Sequence, residues 1–140
     1  MSSSRHLARI LVMQTVFAHE FRGGDAHTIL EYNFKHRATD DKVDNPYTQL
    51  LLTGVLNHHQ EIKNMIQEHA REWPFEKIAP VDRAILEIGV YELAFAKNVP
   101  PLVAVNEAIE IAKKFGGENS AKFINGVLSS IMQQCKQKMS

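Results

Sequence analysis

Residues 80–95, PVDRAILEIGVYELAF, constrain the fold more than any other stretch of the chain. Wound as a helix, the segment is apolar on nearly every side, and its few polar residues are Asp82, Arg83, Glu87 and Glu92. A helix of that kind must be covered all round, so it belongs at the centre of a helical domain. Pro80 suits a first helical turn, Asp82 meets the positive end of the helix, and Arg83 stands four residues before Glu87, the spacing of a surface ion pair. Gly89 is unfavourable by about 1 kcal/mol relative to Ala inside a helix, which predicts a neighbouring helix crossing closely there. Among the residues of this segment, only Asp82 and Arg83 read as free for another role.

The flanking sequence supplies helices to surround it. Ser2 to Ser4 offer N-caps to a first helix whose apolar positions run from Leu7 through Phe17 to Phe21, ended by Gly23-Gly24. A second, shorter helix follows Asp25 and turns Ile29, Leu30 and Phe34 inward. Residues 37–45 read as the main loop. Asn45 is the expected cap of the next helix, with Pro46 first inside it, and one apolar face then runs from Tyr47 and Leu50 past His58 and His69 to Trp73. That pattern is long for a small domain, so a break is expected near Asn57-His58-His59. Asn98 to Pro101 form a rigid connector. Leu102 to Phe115 form an amphipathic helix with a Glu110–Lys114 pair and Gly116 as a left-handed cap. The last helix starts at Asn119 or Ser120 and turns Phe123, Ile124, Val127, Leu128, Ile131, Met132 and Cys135 to one side. Its Gly126 is taken as a second close helix contact. No segment alternates with period two, so the class is all-α, and 140 residues suit one domain.

Sixteen basic residues balance sixteen acidic ones, which argues against a protein held to nucleic acid by bulk charge alone; any polyanion contact must be local or shared with a partner. The single Cys135 gives no internal disulfide and no cysteine zinc site. Without a membrane-length apolar run or a leader-like N-terminus, the chain reads as cytoplasmic. Seven histidines raise the question of a metal. His58 and His59 are adjacent, however, and point about a quarter-turn apart, so they do not face one ion from a straight helix, and no metal or cofactor is expected. Phe115-Gly116-Gly117 lacks the strand and the Gly-Lys-Ser/Thr signature of a phosphate loop. No nucleophile, base and orienting acid fall together, so no catalysis is expected.

Taken in order, Leu51-Leu52-Thr53-Gly54-Val55, Val81-Asp82-Arg83-Ala84-Ile85-Leu86, Tyr91-Glu92-Leu93, Val99-Pro100, the run from Val105 to Lys113, Phe115-Gly116 and Phe123-Ile124-Asn125-Gly126-Val127-Leu128 resemble the NusB family of transcription antitermination factors over nearly the whole chain. The resemblance implies about seven helices in two small bundles packed across each other. It also implies a non-catalytic factor that binds boxA-type single-stranded RNA of ribosomal RNA transcripts. That binding is shared with NusE, a small-subunit ribosomal protein, and helps load an antitermination complex on RNA polymerase. By motif, the RNA contacts fall on Arg5, His6 and Arg9 in the opening arm and on Asn119, Lys122 and Phe123 at the start of the last helix. Asp82 and Phe17 fall on the surface that receives NusE. Leu7 stands where the family pattern has a further arginine. Some relatives pair as homodimers, and the sequence leaves monomer and homodimer open.

Read without the family, these residues have plainer roles beside the functional ones. Arg5, His6 and Arg9 read as a solvated helix start, although cations are mildly unfavourable at that end. Phe123 falls on an apolar flank and reads as core before it reads as a platform for a stacked base. Asn119 and Lys122 are free of that objection and suit base-edge and phosphate contacts. Asp82 suits the helix dipole, and Phe17 the core. The rival to RNA binding is an interaction module that keeps the fold without useful RNA affinity.

Overall fold

The computed structural model describes residues 3–37 and 43–139. In chain order the helices are α1 (Ser4–Arg22), α2 (Ala26–His36), α3 (Asn45–Asn57), α4 (His59–His69), α5 (Pro80–Ala94), α6 (Pro101–Phe115) and α7 (Ser120–Met139), with a 3₁₀ turn at Phe75–Lys77 and no strand among the described residues. Residues 38–42 of the expected loop lie outside the described residues. None of the described helices is long and apolar enough to cross a membrane.

Local chemistry explains most of the helix ends. The Ser3 side chain accepts the His6 N–H at 3.0 Å, which caps α1. Gly23 and Gly24 end it with φ of 79° and 96°, a conformation that favours glycine. Asp25 caps α2 through the Thr28 N–H. Asp44, rather than the expected Asn45, caps α3 by accepting the Tyr47 N–H at 3.0 Å. A carboxylate at that end also meets the helix dipole. The break before α4 falls at His58, inside the expected interval. Pro101, one residue earlier than read from the sequence, opens α6.

α5 is the axle. Every residue from Ala84 to Glu92 is buried, and α1, α3, α4, α6 and α7 all pack on it. α1 gathers α2 and α3 on one side, while α4, α6 and α7 pack with α5 on the other, giving the two expected groups of helices. Their buried apolar residues join into one continuous core. At Gly89 a Cβ would stand 2.7 Å from Leu128 Cδ1 of α7, so the expected close crossing is present. Gly54 makes a similar approach, since a Cβ there would run into the ring of Tyr91.

Several expectations are corrected. Gly126 faces open space and marks no helix contact. Gly116 is extended (φ −88°, ψ −176°), not left-handed, and a side chain there would collide with Ser120. Lys113, not Lys114, approaches Glu110, at 3.6 Å. Arg83 does not pair with Glu87, which is buried; Arg83 reaches Glu20 of α1 instead, at 3.2 Å. Phe21, Leu50 and Trp73, read as inward-facing, are each more than half exposed. At those positions the apolar stripe outruns the helices that cover it.

Candidate functional site

The arm at the start of α1 is ordered by its contacts. Arg5 places its guanidinium 4.3 Å from the centre of the Tyr47 ring and 3.8 Å from Asp44 Oδ2, and remains partly open to solvent. His6 Nδ1 lies 2.7 Å from Glu107 Oε2 of α6.

Arg9 has turned inward and is 3 % exposed. Its Nε donates to both oxygens of Glu92, at 3.0 and 2.9 Å, and its Nη1 to Glu107 Oε1 at 2.7 Å. The Tyr47 hydroxyl donates to the same Glu92 carboxylate. Four helices, α1, α3, α5 and α6, therefore meet at one buried ionic knot. Burial works against the Arg9 charge, but Glu92, Tyr47 and Glu107 outweigh it and hold the guanidinium above its ordinary value. Burial pushes Glu92 up, against the opposing pull of Arg9, and burial together with Glu92 pushes the Tyr47 phenol up. In this arrangement Arg9 faces carboxylates, not solvent. Of the three basic residues read from the sequence, Arg5 keeps the most open cation.

The second patch is differently built. Asn119 and Lys122 are exposed, and Phe123 is half-buried, one side on the core. All three line a groove whose opposite wall is the chain leaving α4, including Arg71 and Trp73. His69 ties the two walls together, 2.7 Å from Ser130 Oγ and 3.0 Å from Gln134 Oε1. Phe123 thus serves the core and the groove at once. Arg71 and Trp73 were missed in the sequence. The signal available was an aromatic next to Pro74, at a point where a helix must end.

The arm and this groove do not merge into one cluster. α1 and α6 run in the same direction: His6 and Arg9 bind Glu107, while Phe17 shares a cleft with Phe115 at the far end of α6. Glu107 and Phe115 are about 12 Å apart along that helix, at 1.5 Å per residue. α7 begins just beyond Phe115.

Comparison with known proteins decides the family. The model of the NusB family matches residues 6–133. This chain belongs to the NusB family. It is similar to the transcription antitermination protein NusB of Bacillus subtilis, with 38 % identity over 133 residues, 95 % of this chain and 98 % of that protein. Among solved structures it is similar to T. maritima NusB, with a TM-score of 0.81 and 34 % identity over 95 % of this chain and 93 % of the other. It is also similar to a chain of the complex of antitermination factors NusB and NusE with double-stranded RNA, with a TM-score of 0.86 and 26 % identity over 96 % and 99 % of the two chains.

The remaining pair of expected NusB-family residues, Phe17 and Asp82, lies near a different cleft. Phe17 lines it with Val81, the neighbour of Asp82, and with Phe115. Phe17 packs against the core, as its spacing predicts, and also stacks on the exposed Phe21 with ring centres 5.6 Å apart. Asp82, read from the sequence as a free carboxylate, is instead buried in the first turn of α5, with 9 % exposure.

Proposed function

We propose that this protein is a non-catalytic transcription antitermination factor that binds boxA-type single-stranded RNA together with NusE. The observation that carries the reading is the α7 groove. It sets Lys122 and Arg71, two cations, beside Trp73 and Phe123, two aromatics, with the Asn119 amide at its head and two carboxylates, Glu68 and Glu72, also on its lining. Cations with interleaved aromatics are what an unpaired strand needs: the cations meet phosphates, and the rings accept bases of any sequence at about 1–3 kcal/mol each. Family membership and the neighbour that holds NusB and NusE with double-stranded RNA support an antitermination factor that binds RNA; the groove is what points to an unpaired strand.

In this reading Lys122 contacts phosphate, Asn119 and Phe123 contact bases, and Arg5 and His6 extend the track at the arm. Arg9 holds the arm in place through Glu92 and Glu107 rather than touching RNA. The cleft at Phe17 and the neighbouring Asp82 receive NusE, which completes the loading of the RNA polymerase complex. We assign the chain to one domain, on the strength of its continuous core, and to the cytoplasm, where transcripts are made.

Titration of labelled boxA RNA with and without NusE, across a salt series, tests the assignment. Lys122→Ala should weaken binding and reduce the slope of log affinity against log salt by about 0.7, the value for one phosphate on a single strand. An unchanged affinity and slope would remove Lys122 from the interface. The inward turn of Arg9 favours the second reading, an interaction module without useful RNA affinity, which requires no RNA shift either with or without NusE.

A further inference from the structure

On the flank of α5 away from the ionic knot, three side chains from three helices converge: Glu20 of α1, His59 at the first position of α4, and Glu87 of α5. His59 Nε2 stands 3.1 Å from Glu87 Oε1 and 3.5 Å from Glu20 Oε2, and the three ligand atoms lie within 4.8 Å of one another. Two ligands held about 2.0–2.1 Å from a tetrahedral ion are about 3.3 Å apart, so the two histidine distances bracket the spacing that such an ion requires.

Glu87 supplies an independent sign of a ligand. It is completely buried, and among the described residues neither carboxylate oxygen has a full hydrogen-bond partner, its nearest group being the His59 imidazole in an ion pair at 3.1 Å. Buried polar groups are ordinarily satisfied, and a buried carboxylate facing a second carboxylate is doubly unfavourable. The group lines a cleft with Val16, Val55 and Phe75, and the two cations of that cleft, Lys63 and Arg83, are paired with Glu76 and Glu20 at 3.0 and 3.2 Å, which leaves room for an ion and a water ligand.

We propose that Glu20, His59 and Glu87 form a binding site for a divalent transition-metal ion, with Zn²⁺ the best fit. An imidazole nitrogen with two carboxylates suits Zn²⁺, whereas Mg²⁺ and Ca²⁺ take oxygen ligands. Two ionised glutamates neutralise the ion, and the buried Glu87, which completes no hydrogen bond among the described residues, gains a ligand bond. Arg83 occupies the other oxygen of Glu20, Oε1, at 3.2 Å, which orients Oε2 toward His59 as an outer hydrogen bond orients a metal ligand. The ion clasps α1 and α4 to α5. The site is separate from the RNA groove and does not depend on the RNA reading.

Thermal unfolding of the full chain in EDTA, and then in a hundredfold excess of Zn²⁺ over its Kd, tests the site. Wild type should gain about 5–10 °C. His59→Ala and Glu87→Gln should gain nothing, while His58→Ala, the adjacent histidine turned onto Phe95, should keep the full gain. Each zinc increment is measured against the same variant in EDTA, so a change in baseline stability does not obscure it. Co²⁺ added to wild type should give the visible bands of a tetrahedral nitrogen–oxygen site at one ion per chain, lost in Glu87→Gln. No gain in wild type, or an equal gain in the His59 and Glu87 variants, would overturn the proposal.

Discussion

The two halves of α5 bury the same chemical group under opposite conditions. In the second half, Glu92 is 1 % exposed and fully engaged by Arg9 and Tyr47. In the first half, Glu87 is 0 % exposed and completes no hydrogen bond among the described residues, with a histidine in an ion pair at 3.1 Å and a second glutamate close by. Glu92 shows how a helical core holds a carboxylate as structure, by building a rigid donor set around it from two other helices, Arg9 of α1 and Tyr47 of α3. Glu87 shows a carboxylate buried against a histidine and a second glutamate, with no complete donor set around it among the described residues. Burial alone does not distinguish them; the completeness of the partner set does.

The largest effect expected from this contrast is at the closed half. Arg9→Ala should lower stability in urea by about 3–5 kcal/mol, because it strands Glu92 in the core, and Arg9→Met with Glu92→Leu should recover most of the loss. A single-variant loss below about 1 kcal/mol would mean that the knot does not hold the helices together.

The open half should reveal itself through pH. Burial pushes Glu87 from 4.5 up to about 7, with Glu20 adding to the shift and His59 opposing it. His59 is itself raised, chiefly by its contact with Glu87. Both folded-state values lie above the unfolded ones, so the protonated forms favour the fold. The Glu87 contribution is complete below pH 4.5 and is lost as pH climbs through about 7. In EDTA, wild type should lose up to about 3 kcal/mol more than Glu87→Gln between pH 5 and pH 8. Parallel stability profiles for the two proteins would place Glu87 in the same class as Glu92.

A smaller test compares packing. Gly54→Ala pushes a methyl group into the Tyr91 ring beside Glu92 and should cost about 1–3 kcal/mol, while Gly126→Ala meets open space and should gain about 0.5–1 kcal/mol. Equal effects at the two sites would show that the closed half is no tighter than the surface of α7.

These contrasts also explain what could be read in the sequence. Helix ends were legible where the signal is local: Ser3, Asp25 and the Gly23-Gly24 pair act within four residues of the end they mark, and the break at His58 follows from the length of the apolar pattern. α5 was legible as the centre because the apolar surface surrounding it leaves only one place for it. The fate of the charged residues was not. Arg9 looked like an exposed cation because its partners, Glu92 and Glu107, are 83 and 98 residues away. Glu87 looked like one end of a surface pair because nothing nearby in the chain announces His59 or Glu20. The groove was half legible: Lys122 and Asn119 stood out on the polar side of α7, but Trp73 was assigned to an inner face that α4 does not extend far enough to provide.

Trp73 is the chain's only tryptophan, half exposed on the wall opposite Lys122 and Phe123. The protein therefore carries a built-in optical reporter at that groove. Its ultraviolet emission arises from one place in the fold, so a change in colour or intensity when another molecule arrives reports on that wall without a dye or an engineered label.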